Sequence, residues 1–109
     1  MSYNVKAIPT FDKQAKRLAR KYPSLKQELA SLALNLSDEP DQGTGLGNSC
    51  YKIRLAIKSK GRGKSGGARV ITYVHVTEED IYLLSIYDKS EKENLNDGEL
   101  DELLSEIEP

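Results

Sequence analysis

A chain of 109 residues with 38% hydrophobic and 30% charged residues, no Trp and a single Phe can bury one modest core, aliphatic with help from its six Tyr. A formal net charge of −1 excludes bulk attraction to polyanions, and no apolar run approaches the ~20 residues of a membrane span. The N-terminus Met-Ser-Tyr-Asn-Val-Lys lacks the apolar stretch of a signal peptide, and the lone Cys50 has no intramolecular disulfide partner. The expectation is a single cytoplasmic domain spanning residues 1–109, with Cys50 a small buried residue at the start of a strand.

The elements follow in chain order. Tyr3 to Ile8 alternates and predicts a short strand, stopped by Pro9. Thr10 is the expected cap of a helix whose apolar face is Phe11, Ala15, Leu18 and Tyr22, opposite Lys13, Lys16, Arg17, Arg20 and Lys21. Tyr22-Pro23-Ser24 breaks it. Ser24 and Gln27 have the spacing of a capping box for a second helix with the stripe Leu25, Leu29, Leu32 and Leu36. Helices joined by so short a turn form a hairpin. Asp38 to Asn48 reads as a loop. Tyr51 to Ile57 is a strand with Tyr51, Ile53, Leu55 and Ile57 on one face and Lys52, Arg54 and Ala56 on the other. Lys58 to Gly67 is a flexible Gly-rich basic loop. Ala68 to Val76 is a strand that sends Arg69, Ile71, Tyr73 and His75 to one face. Ile81 to Tyr87 is an apolar strand suited to the sheet interior. Asn96 or Asp97 caps a final helix with the stripe Leu100, Leu103, Leu104 and Ile107. The reading is an α+β fold of order β-α-α-β-β-β-α, with a helical hairpin on one face of a mostly antiparallel sheet. The other face stays open, and there Lys52, Arg54 and Arg69 converge.

Charge is segregated along the chain. Residues 43–76 hold seven Lys/Arg and no Asp or Glu, whereas residues 78–109 hold twelve acidic residues against Lys89 and Lys92. A concentrated basic surface holds phosphates in a defined place, which a diffuse surplus does not. The acidic residues of the last helix read as a solvated face, or as a screen over the basic patch.

The layout and its basic strands resemble the RelE/ParE superfamily of bacterial toxins, and its HigB-like branch in particular. The resemblance is carried by Gln42-Gly43-Thr44-Gly45, Tyr51-Lys52-Ile53-Arg54-Leu55, the run Lys60 to Ile71 with Gly66-Gly67-Ala68-Arg69-Val70-Ile71, and Tyr82 to Glu91 with Ile86-Tyr87-Asp88-Lys89-Ser90-Glu91. It covers about half the chain. It implies a toxin that inhibits translation by cutting mRNA on the ribosome without a metal or other cofactor. In that chemistry the ribose 2′-hydroxyl attacks the adjacent phosphate and leaves a 2′,3′-cyclic phosphate. It also implies a cognate antitoxin, often of helix-turn-helix type. The alternatives are a ParE-like poison of DNA gyrase and a plain nucleic-acid-binding domain.

In-line attack needs a proton acceptor, positive charge on the phosphorane and a proton donor for the leaving oxygen. The lone His75 reads as structural. The resemblance carries the catalytic positions onto Lys52, Arg54, Arg69, Tyr87 and Lys89. Arg69 follows a Gly-Gly pair through which backbone can approach a phosphate, and its guanidinium suits bidentate binding. Tyr87 can stack on a base or donate a proton, and Lys89 can hold phosphate or act as the acid. Lys58, Lys60, Arg62 and Lys64 are expected to grip RNA rather than catalyse, because a flexible loop does not hold a proton-transfer group in place.

Overall fold

The computed structural model describes residues 2–61, 63 and 66–107. Strand β1 (Asn4–Ala7) leads into α1 (Pro9–Lys21) and α2 (Leu25–Asp38). Then come β2 (Thr44–Gly47), β3 (Cys50–Leu55), β4 (Ala68–His75), β5 (Asp80–Asp88) and α3 (Glu99–Leu104). The five strands form one sheet of order β1-β5-β4-β3-β2. β1 runs parallel to β5 and every other pairing is antiparallel. The β3-β4-β5 meander and the helical layer agree with the periodicity of the sequence. Among the described residues no helix is long and apolar enough to cross a membrane.

Three local expectations are corrected. The first is that 38–48 is all loop. Residues 44–47 pair with β3 as an edge strand, turned by Asn48 (φ 55°) and Ser49 (φ 61°) in the positive-φ conformation of a two-residue hairpin. Thr-Gly-Leu-Gly has no alternation to announce a strand, and backbone pairing to a preformed neighbour overrides it.

The second concerns caps. α1 opens at Pro9, whose fixed φ suits the first helical turn. Thr10 does not cap it. Its N–H donates to Glu106 Oε1 at 3.1 Å and its hydroxyl donates to Glu106 Oε2, so a carboxylate from the far end of the chain neutralises the helix N-terminus. Ser24 makes no capping bond either; its hydroxyl meets Glu28 at 3.2 Å and Ser59 at 2.8 Å. Before α3, neither Asn96 nor Asp97 takes the cap position, which belongs to Gly98 at φ 80°.

The third concerns the open face. α3 and the segment before it lie on the sheet face opposite the hairpin, with Leu103 buried and Leu95, Leu100, Leu104 and Ile107 packed against the core. That face is only partly open.

The core between sheet and hairpin joins Phe11, Leu18, Leu25, Leu32 and Leu36 to Ile53, Val70, Ile81 and Ile86. β1 covers β5 only as far as Leu83. Beyond it, Gln14 of α1 accepts from the Ile86 N–H at 2.9 Å and from Ser85 Oγ at 3.0 Å, so the backbone donor is not left unpaired. Cys50 is 1% exposed, as expected of a small apolar residue, and burial pushes its thiol up to about 11. Native protein is therefore expected to resist iodoacetamide at pH 8, whereas the urea-unfolded chain is alkylated readily. Rapid native labelling, read by mass spectrometry, contradicts this.

Candidate nucleic-acid cleft

Strand register decides which basic residues meet. Arg54 of β3 lies opposite Arg69 of β4, and Arg69 lies opposite Tyr87 of β5. Lys52 faces the same way two residues earlier, since side chains alternate along a strand. Lys52, Arg54 and Arg69, with Lys89 just past β5, line a cleft of about 330 Å³ on the face opposite the hairpin. Four of the five expected catalytic residues thus share one concavity.

Their surroundings differ. Arg69 is the floor: it is 4% exposed and donates to the Ala68 carbonyl at 3.1 Å. Arg54 is exposed at the outer wall. Lys52 reaches Asn94 Oδ1 at 3.0 Å, and Lys89 reaches Glu93 Oε1 at 3.2 Å. Tyr87 sits beneath the cleft in the neighbouring hollow shared with Lys52, Leu95 and Leu100. Only 5% of it is exposed, so it offers no free face for stacking on a base, which corrects that expectation. Its hydroxyl is buried without a hydrogen-bond partner among the described residues. Burial raises its pKa, against the pull of the Arg69 guanidinium, so the phenol stays protonated at neutral pH.

Residues 43–76 contain no Asp or Glu, yet the folded basic patch does hold a carboxylate, which corrects the expectation of a purely cationic surface. Glu93 lines the cleft. Its signal was the i, i+4 spacing to Lys89, weak because such pairs are common on surfaces. The screening idea finds little support in the other acids. Glu99 pairs with Lys92 at 2.6 Å, and Glu106 is spent on Thr10. For Glu99, burial opposes ionisation, but Lys92 and the Asn96 N–H hold its pKa below the usual value.

The basic loop divides. Lys58 keeps an exposed side chain, while its N–H donates to Glu28 Oε2 at 2.7 Å. Lys60 is not a free grip. Its side chain is 8% exposed, ion-paired with the fully buried Asp88, bonded to Ser90 Oγ at 3.2 Å and 5.8 Å from the Tyr22 ring centroid. Arg62 and Lys64 lie outside the described residues. His75 lies at the other end of β4, away from the cleft.

Gly67 has a structural duty. A Cβ there would lie 2.1 Å from the Leu55 carbonyl oxygen, so the close approach anticipated for a phosphate is made by β3 backbone. The Gly67 carbonyl also accepts from the Lys89 N–H at 3.0 Å, tying both flanks of the cleft together. Gly67→Ala is expected to destabilise by about 1–3 kcal/mol. An unchanged urea midpoint would show that the strands can part at no cost.

A helical hairpin on one face of a mostly antiparallel sheet, with a cation-lined cleft on the other, defines a small α+β protein with a basic hollow on its second face. The profile of the RelE toxin of RelE/RelB toxin–antitoxin systems matches residues 10–107. The chain belongs to the RelE toxin family. Among solved structures, it superposes on a mutant of the Escherichia coli toxin RelE in the free state with a TM-score of 0.56 at 21% identity, covering 97% of this chain and 94% of that one. It superposes on the isolated E. coli RelE toxin with a TM-score of 0.52 at 19% identity, covering 95% and 97%. At these identities the likeness is one of fold. Family membership implies an antitoxin partner.

Proposed function

We propose that this protein is a ribosome-dependent mRNA endonuclease of the HigB-like kind, acting as one domain in the bacterial cytoplasm and held silent by its antitoxin. The observation that carries the reading is the convergence of Lys52, Arg54, Arg69 and Lys89 on one cleft that, among the described residues, contains a single carboxylate. Four cations suit a dianionic phosphorane, and they act most strongly where water is partly excluded, as at Arg69.

The reaction needs no group beyond the chain and the RNA. As the phosphate enters, the Lys89–Glu93 ion pair opens; the 2′-hydroxyl oxygen bonds to the adjacent phosphorus, its proton passing to Glu93. Arg69 and Arg54 hold the non-bridging oxygens. The bond from phosphorus to the 5′-oxygen breaks, and Lys89 protonates that oxygen. The products are a 2′,3′-cyclic phosphate and a 5′-hydroxyl. Lys52, steadied by Asn94, adds charge at the wall, and Tyr87 supports Arg69 from below. Lys58, with Arg62 and Lys64, extends the grip along the RNA backbone.

The test is cleavage of mRNA on programmed ribosomes by the purified protein, with the new ends mapped. Cyclic-phosphate ends within the A-site codon are expected. Intact mRNA at protein levels that still arrest growth would overturn the reading and redirect attention to gyrase.

A further inference from the structure

A larger hollow, of about 820 Å³, lies at the other end of the sheet. Its base is three rings on two strands. Tyr73 and Tyr82 are cross-strand partners with centroids 6.3 Å apart and planes 28° from parallel, and Tyr73 and His75 are 6.0 Å apart. Glu78 and Asp80 supply carboxylates at the rim. Leu104 and Ile107, from the C-terminal segment, add apolar side chains to the hollow's lining. On β4, His75 lies six residues from Arg69, about 20 Å away at ~3.3 Å per residue, so the hollow is separate from the cleft.

The chemistry of this hollow is the inverse of the cleft's. Aromatic faces with adjacent carboxylates attract cations and repel phosphates. One cation of the chain already shows the preference: Lys6 Nζ lies 3.1 Å from Asp80 Oδ2 and 5.9 Å from the Tyr82 ring centroid. Asp80 also raises the pKa of Lys6. Glu78 feels Lys6 more weakly than Asp80 does, and Tyr73 has no such cation among the described contacts. A planar guanidinium stacks on a Tyr face while its edge pairs with a carboxylate, which an ammonium cannot do as well. Leu104 and Ile107 favour an occupant that brings apolar contact along with its charge, that is, a peptide segment rather than a free ion.

We infer that the Tyr73–His75–Tyr82 hollow is a docking site for an arginine side chain on the antitoxin, stacked on Tyr73 and paired with Glu78. This rests on the antitoxin partnership that family membership implies. Such an anchor, four residues along β4 from Arg69, holds the antitoxin on the toxin about 13 Å from the floor of the cleft and does not itself require the cleft to be filled.

The experiment titrates N-acetyl-arginine methylamide into the ¹⁵N-labelled full-length protein. The lysine and glutamine counterparts and AMP serve as comparison probes. The expected result is saturable shifts at Tyr73, His75 and Glu78 for the arginine probe, weaker ones for lysine, and none there for glutamine or AMP. Glu78→Gln, an exposed change, and Tyr73→Leu should each weaken the arginine probe and the purified antitoxin at least tenfold. Lysine binding as tightly as arginine, AMP binding in its place, or antitoxin affinity unchanged in Glu78→Gln would each overturn the assignment. Glu78→Gln also guards against Tyr73→Leu simply unfolding. mRNA cleavage, measured on the same samples, should be unaltered in Glu78→Gln. An inert wild-type protein would sink the nuclease reading while leaving the arginine titration interpretable.

Discussion

Arg69→Ala is expected to lower single-turnover mRNA cleavage by about 10²–10³-fold, the usual cost of removing a preorganised donor from a developing oxyanion. The size of the effect follows from position. Arg69 is the most buried cation of the cleft, flanked by Arg54 on one strand and Tyr87 on the other. Arg69→Lys retains a positive charge but loses the planar fork, so it should recover only a small part of the rate. Melting curves on both variants separate catalysis from folding. The decisive comparison is rate against affinity. If Arg69→Ala cleaves normally once saturated and merely flattens the salt dependence of binding by ~1, Arg69 is a phosphate grip and the catalytic assignment fails.

The second large effect falls outside the cleft. Asp88 ends β5 with none of its side chain exposed and accepts hydrogen bonds from Lys60, from Tyr22 Oη at 2.8 Å and from Ser90 Oγ at 2.7 Å. Asp88→Asn leaves the Lys60 ammonium buried without its counter-charge, and breaking a buried pair this way costs about 3–5 kcal/mol. For a domain of this size that amounts to a fall of more than about ten degrees in Tm. The pH dependence has a definite sign. Burial alone would raise the Asp88 pKa, but the hydrogen bonds from Lys60, Ser90 and Tyr22 outweigh it and hold the carboxyl well below the usual carboxylate range. A carboxylate depressed in the folded state contributes fully above its unfolded pKa of ~4. That contribution is lost as pH falls further, toward the folded value. Wild-type stability should therefore drop from about pH 4 downward, and Asp88→Asn should lack that part of the drop. Equal urea midpoints for the two proteins at pH 7 would show that the pair contributes nothing net.

Asp88 also explains why part of the site was hidden in the sequence. Lys60 stands in a Gly-rich run of cations, where every local cue says solvent and phosphate. Its partner is 28 residues away, and only the approach of the loop to the end of β5, under the α1–α2 turn, reveals the pairing. Lys58, two residues earlier, looks the same in sequence and stays exposed. Tyr87 misleads in the same way. A Tyr at a strand end suggests an emerging ring, but the segment carrying Leu95 and Leu100 folds back over it. Nothing local distinguishes Glu93 from the other acids of the tail.

What the sequence determined by itself is the order of elements other than β2, the segregation of charge and the two faces of β3 and β4. These depend on periods of two and 3.6 residues, which a short stretch of chain expresses without help from the rest. It therefore put Lys52 and Arg54 on one face and Arg69 on the matching face of the next strand. Tertiary structure decided what short-range pattern cannot carry. Backbone pairing made residues 44–47 a strand. Chain closure brought Glu106 to Thr10 across 96 positions. Packing of α3 over the second face left two separate hollows on it, one basic and one aromatic and acidic. Each of these depends on which distant surfaces meet when the core closes, and burial then gives chemically identical side chains different work.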